Sequence, residues 1–216
     1  MAHIKTKRDR IKFASDNVTG ACPEVLDAIL KANDGDRTPY GNDEISKSLQ
    51  DKFSEIFEKE VIVFPTSSGT AANALALSTM TPSFGNIYCH KLSHINVDEC
   101  GAPEFYTGGA KLVTLKGDDG KITAEELNKS ISGKGIVHHT QPSSVSITQL
   151  CETGEAYKLD EIKKISEIAH NHKLNMHMDG ARFANALVSL NCSPAEMTWK
   201  SGIDALSFGA TKNGCL

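Results

Sequence analysis

No stretch of these 216 residues is long and apolar enough to suggest a membrane span, and the basic N-terminus MAHIKTKRDRIKFASDN lacks the apolar run of a secretory leader. The default location is therefore the cytoplasm. The six cysteines, at 22, 89, 100, 151, 192 and 215, form no C-x-x-C pair, which removes the common zinc and redox motifs; they read as reduced, mostly buried thiols. Basic residues are scattered, and the formal net charge of −4 gives no patch for nucleic acid or anionic lipid. There is no internal repeat and no low-complexity tract. What remains is 39% hydrophobic and 23% charged, enough for one large domain with a substantial core.

The pattern along that domain is alternation. PEVLDAILKAN and NDEISKSLQDKFSEIFEKE have apolar residues at helical spacing and predict two helices. Beyond them strand and helix take turns: VIVFPT as strand, GTAANALALSTM as helix, NIYC as strand, a short helix through HINVDECGA, and AKLVTL as strand. TAEELNKSI opens on a Thr123 to Glu126 capping box, then GIVHHT reads as strand, KLDEIKKISEIAHNHK as helix, LNMHMD as strand, SPAEMTWK as helix and DALSFG as strand. TQPSSVSITQLCETGEAY, at 140–157, reads as a long irregular segment, a kind of loop that is usually functional. Such alternation makes an α/β fold with a mostly parallel sheet flanked by helices, in which ligands bind outside the strand carboxyl ends.

Three strand ends carry chemistry. In PTSSGTAAN, Ser68, Gly69 and Thr70 lead into a helix and present free N–H groups and hydroxyls at its positive end, a cradle for a phosphate or simply an N-cap. In MHMDGARFANA, His177 and Asp179 share one strand face and Met176 and Met178 the other, with Asp179 at the carboxyl end and Arg182 beyond a glycine turn. A local Asp–Arg pair with the aspartate as helix cap is the ordinary alternative, and a metal at His177 and Asp179 lacks a third ligand. The third is Lys212, which either snorkels to the surface or offers its amine to an aldehyde. Phosphate cradle, carboxylate and amine together describe a pyridoxal 5′-phosphate site.

At these residues the sequence resembles the low-specificity L-threonine aldolases, including phenylserine aldolases, of the β-eliminating lyase group. FASDN (13–17), PYGND (39–43), SSGTAAN (67–73), His94 with Glu99 five residues on, HMDGARFANA (177–186) and SFGATKNG (207–214) carry the likeness. The resemblance implies the large cofactor-binding domain of the aspartate-aminotransferase type over 23–216, preceded by an N-terminal arm and substrate-contacting segment over 1–22. It implies that Lys212 forms the Schiff base and Asp179 pairs with the pyridine nitrogen. His94 would stack on the ring and help handle the β-hydroxyl proton. Ser68, Gly69 and Thr70 would hold the phosphate, and Arg182 would lie near the phenolic oxygen or the substrate carboxylate. Ser15 would reach the substrate, and Tyr40 would lie near the site of a neighbouring subunit in a homodimer or homotetramer. The implied reaction is retro-aldol cleavage of L-threonine or related β-hydroxy-α-amino acids to glycine and an aldehyde, with no metal. Another pyridoxal-phosphate-dependent β-eliminating lyase, or an inactive cofactor-binding fragment, are the alternatives.

Two departures from the family pattern matter. Where many relatives have a histidine in a stretch like ENTHNG, this sequence has SITQLCETGEAY, which leaves that base unassigned and resembles relatives acting on phenylserine-type substrates. The family also continues beyond the lysine through a C-terminal small domain that supplies a further arginine, so the resemblance implies a chain truncated after the cofactor lysine.

Overall fold

A computed structural model describes residues 14–215; the basic arm before them, with Phe13 of the FASDN motif, and Leu216 lie outside the described residues. Helices α1 (Pro23–Ala32) and α2 (Glu44–Ile56) come first, followed by α3 (Gly69–Met80), β1 (Gly85–His90), α4 (His94–Val97), α5 (Ala102–Tyr106) and β2 (Lys111–Leu115). Then come α6 (Ala124–Ser130), β3 (Gln141–Thr148), α7 (Leu159–Asn171), β4 (Asn175–Gly180), α8 (Phe183–Leu190), α9 (Pro194–Met197) and β5 (Ala205–Phe208). The five strands form one sheet in the order β2-β1-β3-β4-β5, with every pairing parallel.

Strand alternation divides the interior. On one face Tyr88, Val145, Ile147, Met176 and Met178 pack with Leu127, Ile162, Ile165 and Phe183 from the helices into the main core. On the other, Ile87 and Cys89 meet Leu77 of α3 in a smaller cluster. The rest of that second face is polar yet buried, which is stable only where each polar group finds a partner. Here they do so across the strands: Thr81 and Ser144 hydroxyls lie 2.7 Å apart, and His177 sits between Ser146 and Ser207, 2.9 Å from each hydroxyl.

Four expectations fail. Residues 135–140 are turns, and the strand begins at Gln141, inside the segment expected to be irregular. Ser144, Ser146 and Thr148 alternate with Val145 and Ile147, and the Ser144 and Ser146 hydroxyls meet Thr81, after α3, and His177 on β4, so low hydrophobicity hid a central strand. Residues 61–66 belong to no strand, because α2 takes their hydrogen bonds: Gln50 exchanges two with Val63, at 2.9 and 3.0 Å, and Ser54 accepts from the Val61 amide. All six cysteines are free, but only Cys89 and Cys151 are buried, and Cys100 is exposed. The helix expected through HINVDECGA is two short ones, broken by Cys100 and Gly101 at positive φ. Thr123 accepts from the Glu126 amide as a helix cap should.

Burial pushes the imidazole of His177 down to about 4 from its ordinary 6.5, with the Asp179 charge opposing the shift. A histidine held neutral contributes stability that is complete above the unfolded value and lost as pH falls from 6.5 toward 4. Urea unfolding across that range checks this. His177→Leu, which orphans the Ser146 and Ser207 hydroxyls, is expected to lower stability at pH 7 by about 2–4 kcal/mol. The gap to wild type should then narrow as the pH falls.

Candidate active site

The carboxyl ends of β3, β4 and β5 face the N-terminus of α3 across a cavity of about 210 Å³. Asp179 closes β4, 4% exposed, and both its oxygens are engaged: Oδ1 accepts from the Ala181 amide at 3.0 Å and Oδ2 from Asn73 Nδ2 at 2.9 Å. The same Asn73 nitrogen donates at 2.7 Å to Glu99 Oε1, which also lies 2.9 Å from His94 Nδ1. One amide therefore links two buried carboxylates, and the second of them orients the imidazole. Burial raises the Glu99 carboxyl above its ordinary value, despite the hydrogen bonds from Asn73 and His94.

Asn73 reaches this position because α3 starts where it does. Ser68 caps the helix, its hydroxyl accepting from the Ala71 amide at 3.1 Å, and the Ala72 amide bonds to the Ser68 carbonyl. Gly69 and Thr70 occupy the first helical positions, whose N–H groups have no acceptor within a helix, and both line the cavity. Asn73 follows one turn later on the same face.

On the opposite wall Lys212 lies in a short 3₁₀ turn, Thr211–Asn213, just beyond β5. Its neighbour Asn213 binds the turn to the end of β4: Nδ2 donates to the Gly209 and Ala181 carbonyls, and Oδ1 accepts from the Ala184 amide at 3.0 Å. Gly209 permits the close approach, since a Cβ there would lie 2.8 Å from the Ala181 Cα. Arg182 pairs with Asp16 rather than with Asp179, Nε to Oδ2 at 2.6 Å. Burial works against ionisation of Asp16, but the Arg182 hydrogen bond and charge, with Lys212 behind them, hold its carboxyl below the ordinary range.

Of the residues expected at the site, Ser68, Gly69, Thr70, His94, Asp179, Arg182 and Lys212 all line this cavity. Ser15 does not: it caps the turn Asp16–Val18 by accepting from the Asn17 amide, and Asn17 lines the cavity instead. Tyr40 stands away from it, 96% exposed on a turn with a backbone φ of +63°. Asn73, Glu99, Thr148 and Glu152 are lining residues to which sequence reasoning assigned no role at the cavity, Glu99 having served only as a spacing marker for His94. The alternation of hydroxyls through 144–148 was the available signal for Thr148; Asn73 had only its helical spacing from Gly69.

A parallel sheet with a helix N-terminus, an aspartate and a lysine at adjoining strand ends defines a cofactor-binding α/β domain of the aspartate-aminotransferase type. N-succinyldiaminopimelate aminotransferase of Mycobacterium tuberculosis shares this fold, with a TM-score of 0.55 at 17% identity over 76% of this chain and 43% of that one. The family model for beta-eliminating lyases matches residues 12–216, and the chain belongs to that family. It is 46% identical over 203 residues to the low specificity L-threonine aldolase of Pseudomonas sp. (strain NCIMB 10558), covering 94% of this chain and 59% of that protein. The threonine aldolase structure from Leishmania major superposes with a TM-score of 0.86 at 29% identity, over 94% of this chain and 59% of that one. The chain thus spans about three fifths of these relatives' length. The family is pyridoxal-phosphate-dependent.

The donor set fits that cofactor: two helix amides for a phosphate, an amine for an aldehyde, a carboxylate for a ring nitrogen and an imidazole beside them. Asn73→Ala removes the one donor that Glu99 and Asp179 share. It should cost about 2–4 kcal/mol at pH 7, as expected when buried charged acceptors are orphaned. Urea unfolding measures this, and the deficit should shrink at lower pH as Glu99, whose carboxyl burial already raises, takes a proton.

Proposed function

We propose that this chain forms the cofactor-binding part of a pyridoxal-phosphate-dependent aldolase. Its reaction would cleave L-threonine and related β-hydroxy-α-amino acids, phenylserine among them, to glycine and an aldehyde. One observation carries the reading: Lys212, Asp179 and the free amides of Gly69 and Thr70 line a single cavity. The names of the Pseudomonas and Leishmania relatives support the choice of substrate.

Bound there, pyridoxal phosphate supplies an aldehyde for amines and a ring that accepts electron density from the substrate Cα. The Gly69 and Thr70 amides and the α3 dipole hold its phosphate, with Ser68 fixing the helix start. Lys212 anchors the aldehyde. Asp179, kept in place by Asn73 and the Ala181 amide, faces the ring nitrogen and favours its protonated form. His94, its Nδ1 fixed by Glu99, would stack on the ring. Arg182, oriented by Asp16, binds the substrate carboxylate or the phenolic oxygen. Ser15, next to the cavity-lining Asn17, is the residue of this segment that would reach the substrate.

The competent form is a homodimer or homotetramer in which Tyr40 approaches the neighbouring subunit's site. Its exposed ring on a strained turn supports that reading, as do Leu26, Ile29 and Leu30, which leave α1 with exposed apolar surface. Six free thiols and the lack, among the described residues, of a helix long and apolar enough to cross a membrane accord with a cytoplasmic location.

Product analysis tests the reaction. With pyridoxal phosphate and threonine or phenylserine, the protein at the full length of its relatives is expected to give glycine and the matching aldehyde; ammonia with 2-oxobutyrate from threonine or phenylpyruvate from phenylserine would instead make it a lyase that expels a β-substituent. Asp179→Asn should lower kcat by about a hundredfold or more while cofactor retention changes little, because the phosphate contacts remain. Near-normal turnover in that variant would remove the aspartate from its assigned role.

A further inference from the structure

Retro-aldol cleavage needs a base for the β-hydroxyl, and the structure narrows the choice. His94, Glu99, Glu152, Asp179 and Lys212 are the side chains lining the cavity that could take a proton. Both oxygens of Asp179 accept hydrogen bonds from Asn73 and Ala181, and Lys212 is committed to the cofactor. Glu99 also has a buried, unpartnered Oε2, but its side chain is 0% exposed and its Oε1 is shared between Asn73 and His94, which makes it the group that orients the imidazole. The His94 ring has its Nδ1 2.9 Å from Glu99 Oε1 and, on the reading above, would give its face to the cofactor.

Glu152 remains. It follows β3 in the stretch that lacks a histidine, and it is half-buried rather than enclosed. Its Oε1 accepts from the His94 amide at 2.9 Å, which ties it to the same wall as the imidazole. Its Oε2 is buried and has no hydrogen-bond partner, a costly state for a carboxylate unless a proton or a ligand meets it.

We propose that Glu152 is the acid–base residue that takes the substrate's β-hydroxyl proton, an inference that rests on the aldolase reading above. The proton moves from the β-oxygen to the carboxylate, and the O–H electron pair becomes the second bond of the aldehyde carbonyl. The Cα–Cβ bond breaks with its pair left on Cα, and a proton then returns to Cα, so that one β-hydroxy amino acid gives one glycine and one aldehyde. Burial, followed by the nearby Asp179 charge, lifts the Glu152 carboxyl above its ordinary 4.5, although amide hydrogen bonds and His94 oppose the shift. A raised value suits a group that must both take and return a proton near neutral pH.

Glu152→Gln separates this role from a merely structural one, because glutamine can still accept from the His94 amide but cannot take a proton. Three quantities are measured on the cofactor-loaded protein at the full length of its relatives: cleavage of phenylserine and threonine, exchange of the glycine α-proton in heavy water, and cofactor content after gel filtration. Glycine exchange uses the same cofactor and lysine but has no β-hydroxyl. The expected result is a fall in cleavage of about a hundredfold or more, with exchange and cofactor content near wild type. Glu152→Asp should recover part of the cleavage. Normal cleavage in Glu152→Gln, or an equal fall in cleavage and exchange, overturns the assignment and leaves the aldolase reading standing. A wild-type protein of that length that exchanges glycine but cleaves neither substrate, or that does neither, overturns the aldolase reading and this inference with it.

Discussion

The side-chain amide of Asn73, bridging Glu99 and Asp179, is the interaction on which the rest of the site depends. Two carboxylates brought together in a buried wall repel each other and lose water, and either cost alone would push one of them to take a proton. A shared donor offsets part of both costs, so Asp179 can stand at the end of β4 and Glu99 can hold the His94 ring, 2.9 Å from Nδ1. The arrangement has little freedom. Asn73 is itself buried on α3, so the distance between the two acids follows from how that helix packs over β3, β4 and β5.

That packing in turn requires the polar ladder beneath the helix. Thr81 with Ser144, and Ser146 with His177 and Ser207, let a sheet face of serines and histidine be buried under α3 without orphaned groups. The same face ends at Thr148 and Asp179, paired in register across β3 and β4. The start of α3 places the Gly69 and Thr70 amides opposite those strand ends, and Asn213 fastens the Lys212 turn beside them. Anion cradle, carboxylate and amine are thus set by backbone elements packed around one sheet end, and not by a flexible loop.

How much of this the sequence disclosed depended on locality. Lys212, Asp179 and the start of α3 were legible because each lies where a strand or helix pattern stops, and α3 itself spans the stretch expected to be helical. Strand β3 was missed because Ser144, Ser146 and Thr148 read as loop until their partners on β4 and on the turn before β1 are known. Residues 61–66 misled in the opposite direction: they have the composition of a strand, but pairing depends on a neighbour, and Gln50 and Ser54 take the hydrogen bonds instead. Asn73 and Glu152 lay inside motifs, SSGTAAN and SITQLCETGEAY, but nothing local marked either one for its role. Their roles come from contacts 26, 106 and 58 residues distant, with Glu99, Asp179 and the His94 amide.

The most direct measurement is to load the chain with pyridoxal phosphate, reduce it with borohydride, digest it, and locate the added mass among the peptides. The expected result is one modified peptide, carrying the cofactor on Lys212. Fixation on a different lysine, or a chain that binds the cofactor but fixes none of it, would contradict the assignment of this strand-end cluster as the cofactor site.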